Sequence, residues 1–360
     1  MEGEGRLHRL FGSVGAIPAP PLDAPLAGLD HLRRLGLRLL GPFLSRSLLT
    51  DRERRVAVLG SVLLVAAFLL ASSWPVVMLV LGPLVWGIPH VLADVRYLVA
   101  RPGLHRRPLV LAAIGVGILA AGLGFGVRGG LAGAALALCV ARTSWSRRLI
   151  GLSVVGALFL VAQRAGWFAD LAFAHLHNLV AVVIWWAWRP RTTRLHLVPI
   201  ALFVAGTAAL LLGAAQPLLA WSGGAEAPWT GLGMRYLTWT LSPQPTSPLA
   251  VRFVVLYAFA QAAHYIVWLR LMPEDDRPSK TPRSYRQSFR ALAGDIGGWI
   301  LWLSAIGALA LIVWAFFGPG AARDGYLRFA FFHGHLELAA GALLWAEGFR
   351  PASSNQASTP

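Results

Sequence analysis

Residues 74 to 94 read Trp74-Pro-Val-Val-Met-Leu-Val-Leu-Gly-Pro-Leu-Val-Trp-Gly-Ile-Pro-His90-Val-Leu-Ala-Asp94. From Pro75 to Pro89 every residue is apolar or glycine; His90 and Asp94 then stand four apart in the same run. An apolar run needs roughly 20 residues to cross hydrocarbon, and this one continues to residue 100 before Arg101-Pro102. The stretch therefore reads as a membrane helix carrying an imidazole and a carboxylate on one face, one turn apart. Ionisable groups at that depth are costly and normally face a bundle interior or a functional site.

The rest of the chain repeats the pattern. Apolar residues make up 56% of it and charged residues only 13%, against about a quarter charged in soluble domains. Ten hydrophobic segments lie near 55–72, 74–100, 108–126, 129–142, 148–164, 168–189, 194–215, 248–271, 293–318 and 325–348. The fourth and fifth are short for a span. This predicts an all-α, polytopic membrane bundle over 55–350, with a cytoplasmic tail over 1–54 and a disordered tail over 351–360. Residues 1–28, rich in Pro, Gly and Ala, read as disordered or loosely attached. Residues 29–49 set Leu32, Leu35, Leu39 and Leu40 against Arg33, Arg34, Arg38 and Arg46. That suits a basic amphipathic helix, lying on the anionic leaflet or packed on the domain. No cleavable signal peptide is expected, because the first apolar run begins after some fifty polar residues. The aromatic, nearly uncharged loop 216–248 reads as an interfacial segment or a lid, and the Gly- and Ala-rich third and fourth segments as a close-packed pair.

Lys280 is the single lysine among 32 basic residues, and the formal charge is +16. The arginines are sorted. One set of loops holds Arg52, Arg54 and Arg55; Arg96, Arg101, Arg106 and Arg107; Arg142, Arg147 and Arg148; Arg189, Arg191 and Arg194; and Arg270 to Arg290. The opposite loops hold only Arg128, Arg164, Arg235, Arg323 and Arg328. The positive-inside rule then gives ten helices in an inner membrane with both termini cytoplasmic. Scattered loop charge of this kind argues against nucleic acid as a partner. The single Cys139 excludes an intramolecular disulfide and a thiolate metal cage.

Six of the ten histidines fall deep in four segments: His90, then His175 and His177 with Asn178, then Gln261 and His264, then His333 and His335 with Glu337; His8, His31, His105 and His196 lie in tails or at loop edges and are assigned no role. All four segments run the same way through the predicted bilayer. Counted back from Pro102, Pro190, Pro273 and Pro351 at 1.5 Å per residue, these histidines lie roughly 13 to 27 Å deep. Residues two apart differ by roughly 200° around a helix. His175 and His177 therefore cannot share a target, nor can His333 and His335. His175 and His333 are favoured as ligands, because Asn178 and Glu337 share their faces. His177 and His335 are then supporting groups, or ligands at a turn distorted at Gly334. Imidazole and carboxylate without thiolate suit Fe, with Zn, Cu or Mn as alternatives. Asp94 and Glu337 read as ligands, or as acids that orient ligands or move a proton. Asp170 and Asp295 read as caps of the sixth and ninth helices.

The segment Gly87-Ile-Pro-His90-x-x-x-Asp94 resembles the Gly-x-Pro-His-x-x-x-Asp signature of the Brp/Blh family, bacterial membrane β-carotene 15,15′-dioxygenases that hold iron through histidines on transmembrane helices. The resemblance implies that His90 is an iron ligand and Asp94 its neighbour. Where the family has Gly after this His and another His after the Asp, this chain has Val91 and Val95.

The expected function is a metal-dependent, O₂-using membrane oxidoreductase acting on a lipid or isoprenoid. A haem b electron-transfer protein, a proton- or ion-coupled transporter and a non-catalytic component of a larger membrane complex are the alternatives. Reporter fusions after Arg191 and after Arg283 test the topology: both are expected to report cytoplasm, and a periplasmic signal at either overturns the ten-helix count.

Overall fold

The computed structural model describes residues 18–39, 41–277 and 279–348. No strand is present among them, so every element is helical, as an apolar solvent that cannot satisfy backbone N–H and C=O groups requires. In chain order the helices are α1 (Asp23–Leu39), α2 (Pro42–Thr50), α3 (Arg52–Ser73), α4 (Pro75–Asp94), α5 (Pro108–Ala120), α6 (Val127–Cys139), α7 (Trp145–Ala165) and α8 (Trp167–Ala187). They continue as α9 (Leu197–Leu211), α10 (Gln216–Ser222), α11 (Met234–Leu241), α12 (Ala250–Ile266), α13 (Tyr285–Ile296), α14 (Gly298–Phe317), α15 (Pro319–Ala330) and α16 (Phe332–Glu347). Three helices run on into wider π-helical turns: α4 through Val95–Ala100, α5 through Ala121–Phe125, and α12 through Val267–Leu271.

Each of the ten apolar segments of the sequence is helical. Seven helices are long and apolar enough to cross a membrane, and α9 with α10, bent by 75°, adds one if counted as one span. This marks the chain as an integral membrane protein. The outward faces agree: α14 buries only Leu301 and Leu311 and exposes Ile306, Phe316 and Phe317, a surface no water-soluble monomer tolerates. The fifth segment, short by sequence, is a 21-residue helix, because Trp145, Ser146 and Arg147 extend its start and Ala165 its end. The fourth, α6, remains at 13 residues. It sits inside the bundle against α5, α7 and α16, where it need not match the bilayer thickness. Its contact with α5 is backbone on backbone: a Cβ on Gly117 would lie 2.6 Å from the Cα of Gly133, so only glycine fits there.

Other expectations are corrected. Residues 23–28 belong to a helix rather than a loose tail. The amphipathic segment 29–49 is two helices, broken where Gly41 takes φ 77° ahead of Pro42. α1 packs on α13: Asp30 accepts from the backbone N–H of Tyr285 (2.8 Å) and Arg286 (3.4 Å), while Leu29, Leu32 and Leu39 stay exposed. Asp170 caps no turn of its own helix; its Oδ1 accepts from Val127 N at 2.7 Å and caps α6. Asp295 pairs with Arg96 at 2.7 Å instead of capping α14. The 75° bend between α9 and α10 makes that segment a broken span or a re-entrant loop. Loop 216–248 folds as α10, a short turn and α11, with Trp221 and Trp239 exposed. The predicted C-terminal tail lies outside the described residues.

α12 is the axis of the bundle, packed on α3, α4, α8, α9 and α11. Its C-terminal end carries Glu274, Asp275 and Asp276, all buried. Glu274 pairs with Arg55 at 3.0 Å, and Asp275 with Arg189 at 2.9 Å. Asp275 also binds Arg191 and accepts from Trp185 Nε1 at 2.7 Å. Asp276 pairs with Arg101 at 2.7 Å and accepts from Trp188 Nε1 at 3.2 Å. Arginines from three of the basic loops thus converge on one acidic turn at one end of the bundle. Removing one member of a buried pair strands the other and costs about 3–5 kcal/mol. Asp275→Ala is expected to lower the unfolding temperature of the detergent-solubilised protein markedly. Asp23→Ala, which removes exposed pairs to Arg286 and Arg290, should leave it unchanged; equal shifts would refute the knot's structural role.

Candidate metal centre

Four helices deliver the site. His90 and Asp94 lie in the last turns of α4, and the wider turn begins at Val95, immediately after Asp94. Gly87, one turn earlier, has no room for a Cβ: the Tyr326 ring would stand 2.4 Å from it. His264 lies on α12, three residues before that helix widens at Val267. His333 follows the break between α15 and α16 at Phe331. Extra residues in a helical turn re-aim the side chains around them and are common at functional sites.

One donor atom from each of His90, Asp94, His264 and His333 lies within 4.8 Å of all the others. The ring centroids of His90 and His333 are 4.9 Å apart, and those of His90 and His264 5.4 Å. His177 of α8 closes the fourth side, 5.4 Å from His264 and 5.5 Å from His333. His90 Nδ1 lies 3.3 Å from Trp86 O, His177 Nδ1 3.3 Å from Phe173 O, and His333 Nδ1 beside Ala330 O. A proton on each Nδ1 donates to those carbonyls and leaves Nε2 with its lone pair free. Metal-bound imidazoles are held in this way.

The carboxylates are fully buried, at 0% exposure for both Asp94 and Glu337. Neither oxygen of Asp94 has a hydrogen-bond partner, and His90 Nε2 also has none. Their separation, 4.0 Å, is too long for a hydrogen bond. Glu337 accepts from Trp268 Nε1 at 2.8 Å, while its Oε1 lies 3.5 Å from His264 Nε2 and its Oε2 is unpartnered. Buried polar atoms are normally satisfied. A cation among His90, Asp94, His264 and His333 satisfies this set, and the nitrogen and oxygen donors fit Fe, Zn, Mn or Cu. Glu337 lies outside that group, beside His264, both of whose ring nitrogens are buried without a hydrogen-bond partner.

The centre forms one wall of a cavity of about 370 Å³. Tyr257, Gln261 and Tyr265 also line it, at four-residue spacing along one face of α12, with Tyr326, Phe173 and Phe331. Tyr265 sits 4.7 Å from His90, ring to ring.

The preference for His175 over His177 is corrected. His175 turns away, its Nε2 2.9 Å from Leu241 O and its ring against Tyr257. Asn178, taken as the marker of the inward face, donates to Ala174 O of its own helix instead. The face of α8 that meets α12 and α16 carries Phe173 and His177. His335, expected as a supporting group or ligand, stacks on Phe173 at 5.1 Å and is not part of the four-residue group. Tyr265, Tyr326 and Trp268 escaped the sequence reading. Gly87 is the available signal for Tyr326, since a glycine inside an apolar helix often admits a large neighbour.

The chain matches no family model, no curated protein and no solved structure. The site prediction is read in metal content per chain of purified protein. His90→Ala, His264→Ala and Asp94→Asn should each remove most of the metal. Glu337→Gln should be milder, in the range of about 10–100-fold in affinity typical of outer partners. His175→Ala should change nothing; loss of metal there with retention in His90→Ala would overturn this ligand set.

Proposed function

We propose that this protein is a metal-dependent membrane oxidoreductase that uses O₂ on a lipid or isoprenoid substrate. The observation that carries the reading is the buried His90–Asp94–His264–His333 group, with unpartnered donor atoms, at the wall of a largely apolar cavity. Iron is the metal best suited to the proposed chemistry, given imidazole and carboxylate ligands and no thiolate. Bound there, it supplies a redox centre held away from bulk water. The chain does the rest. His90, His264, His333 and Asp94 hold the ion. The backbone carbonyls of Trp86 and Ala330 fix the tautomers of His90 and His333. Glu337, held by Trp268 Nε1 beside His264, has a free Oε2 that can take up or release a proton. Phe173 and Phe331 give the substrate an apolar seat.

The resemblance of Gly87–Asp94 to the Brp/Blh signature narrows this to carotenoid cleavage. The close approach of Gly87 to Tyr326 gives that glycine a physical reason. A haem b protein is less well supported: four imidazole rings face one another at 4.9–5.9 Å, which leaves no plane for a macrocycle. We place the protein in an inner membrane, crossing it ten times with both termini cytoplasmic. The convergence of Arg55, Arg101, Arg189 and Arg191 at one end supports the arginine sorting behind that topology.

The test combines elemental analysis, an optical spectrum and O₂ uptake on detergent-purified protein given β-carotene in micelles. Non-haem iron, no Soret band and polyene-dependent O₂ consumption that stops on chelation are expected. A protein free of metal after expression in iron-replete medium would return the chain to the transporter or structural readings.

A further inference from the structure

α16 turns its two histidines to opposite sides. His333 faces α4 and α12; His335 faces α6 and α8. Both line the same cavity. His335 is 7% exposed, and its ring is held by stacking on Phe173 (5.1 Å, 21° between planes) and by the edge of Phe331 at 6.0 Å. Its Nδ1 is buried with no hydrogen-bond partner. That nitrogen lies against Gly130, 2.4 Å from where a Cβ would stand. An N–H there would be buried without an acceptor, which costs more than it returns. The proton therefore sits on Nε2, the nitrogen on the open side of the ring. His335 presents a fixed donor beside Phe173 and Phe331, in a cavity that Gln261 and the Tyr257, Tyr265 and Tyr326 side chains also line.

Asp170 lines the same part of the cavity and is exposed. Its Oδ1 accepts from Val127 N at 2.7 Å, so the first turn of α6, the natural anion site here, already holds a carboxylate. Arg128, the nearest base in sequence, is turned away to Phe125 O and Gln163 Oε1. An anionic group entering here meets a carboxylate and no free cation.

We propose that His335 is a positioning residue that donates from Nε2 to one neutral oxygen, an alcohol or carbonyl, of a substrate whose carbon chain extends to the histidine cluster. Apolar pockets orient ligands with a few placed polar groups of this kind. The inference rests on the metal-site reading and refines its substrate class: a neutral lipid or isoprenoid bearing one oxygen function, an oxygenated carotenoid included, bound more tightly than the matching hydrocarbon or acid.

The experiment measures binding of three probes to the full-length, metal-loaded protein in detergent: farnesol, the matching hydrocarbon without the hydroxyl, and the matching carboxylic acid. Metal content is read on the same samples. The native protein should bind farnesol about tenfold more tightly than the hydrocarbon, as one net hydrogen bond allows, and the acid least well. His335→Phe should bind alcohol and hydrocarbon alike with metal content unchanged. His335→Gln, whose amide N–H can take the place of Nε2–H, should restore the preference. No binding of farnesol by the native protein, no preference for it, or a preference that survives in His335→Phe overturns the proposal. Loss of metal in His335→Phe does so too, because it puts His335 among the ligands. An alcohol preference that depends on His335 in a protein that binds no metal would sink the metal reading alone.

Discussion

Asp94 and Glu337 have no solvent-exposed surface, and among the described residues no lysine or arginine pairs with either. A buried charge without a partner costs several kcal/mol even after relaxation. Two such groups in one apolar bundle need something to meet them, and four imidazoles do so only in part. Asp94 keeps two unpartnered oxygens and Glu337 one. A divalent cation is the economical answer to the whole set, because it takes lone pairs from nitrogen and oxygen alike.

Three departures from regular helix geometry lie beside the group. α4 widens directly after Asp94, α12 widens three residues after His264, and α15 gives way to α16 two residues before His333. α8, which carries His177 at the side of the group, has no such irregularity. Glycine supplies the remaining space. Gly87 admits the Tyr326 ring beside α4, and Gly130 admits His335 beside α6. Close helix approach through small residues is the ordinary currency of membrane packing. Here it also brings aromatic and imidazole rings into the cavity wall.

The two ends of the bundle differ in kind. At one end, arginines and buried acids form a network centred on Glu274, Asp275 and Asp276 that ties α3, α4, α8 and α12 together. Each of these acids is paired with at least one arginine. The cavity instead lies among the histidines and reaches the first turns of α6 and α8 at the other end. Rigidity and access are thus separated along the bundle axis.

The sequence by itself determined that the chain is an all-helical membrane protein and that its deep histidines are grouped on four helices. Hydrophobic run length and arginine placement are local properties of the chain, so both can be read without a fold. Helical spacing also paired His90 with Asp94 and His333 with Glu337. It favoured His175 over His177 on the strength of Asn178, and wrongly, because which of two residues roughly 200° apart faces inward depends on the neighbours of α8. Nor could run length decide α6, whose 13 residues are explained by burial against α5, α7 and α16, or foresee the bend between α9 and α10. Asp170 looked like the cap of its own helix and caps another, because a short carboxylate binds the nearest free N–H in space. Tertiary structure decided which imidazole joins the centre, which acid touches it and which histidine is left facing the cavity. Convergence depends on how helices rotate and cross, and that is set by packing between segments distant in the chain.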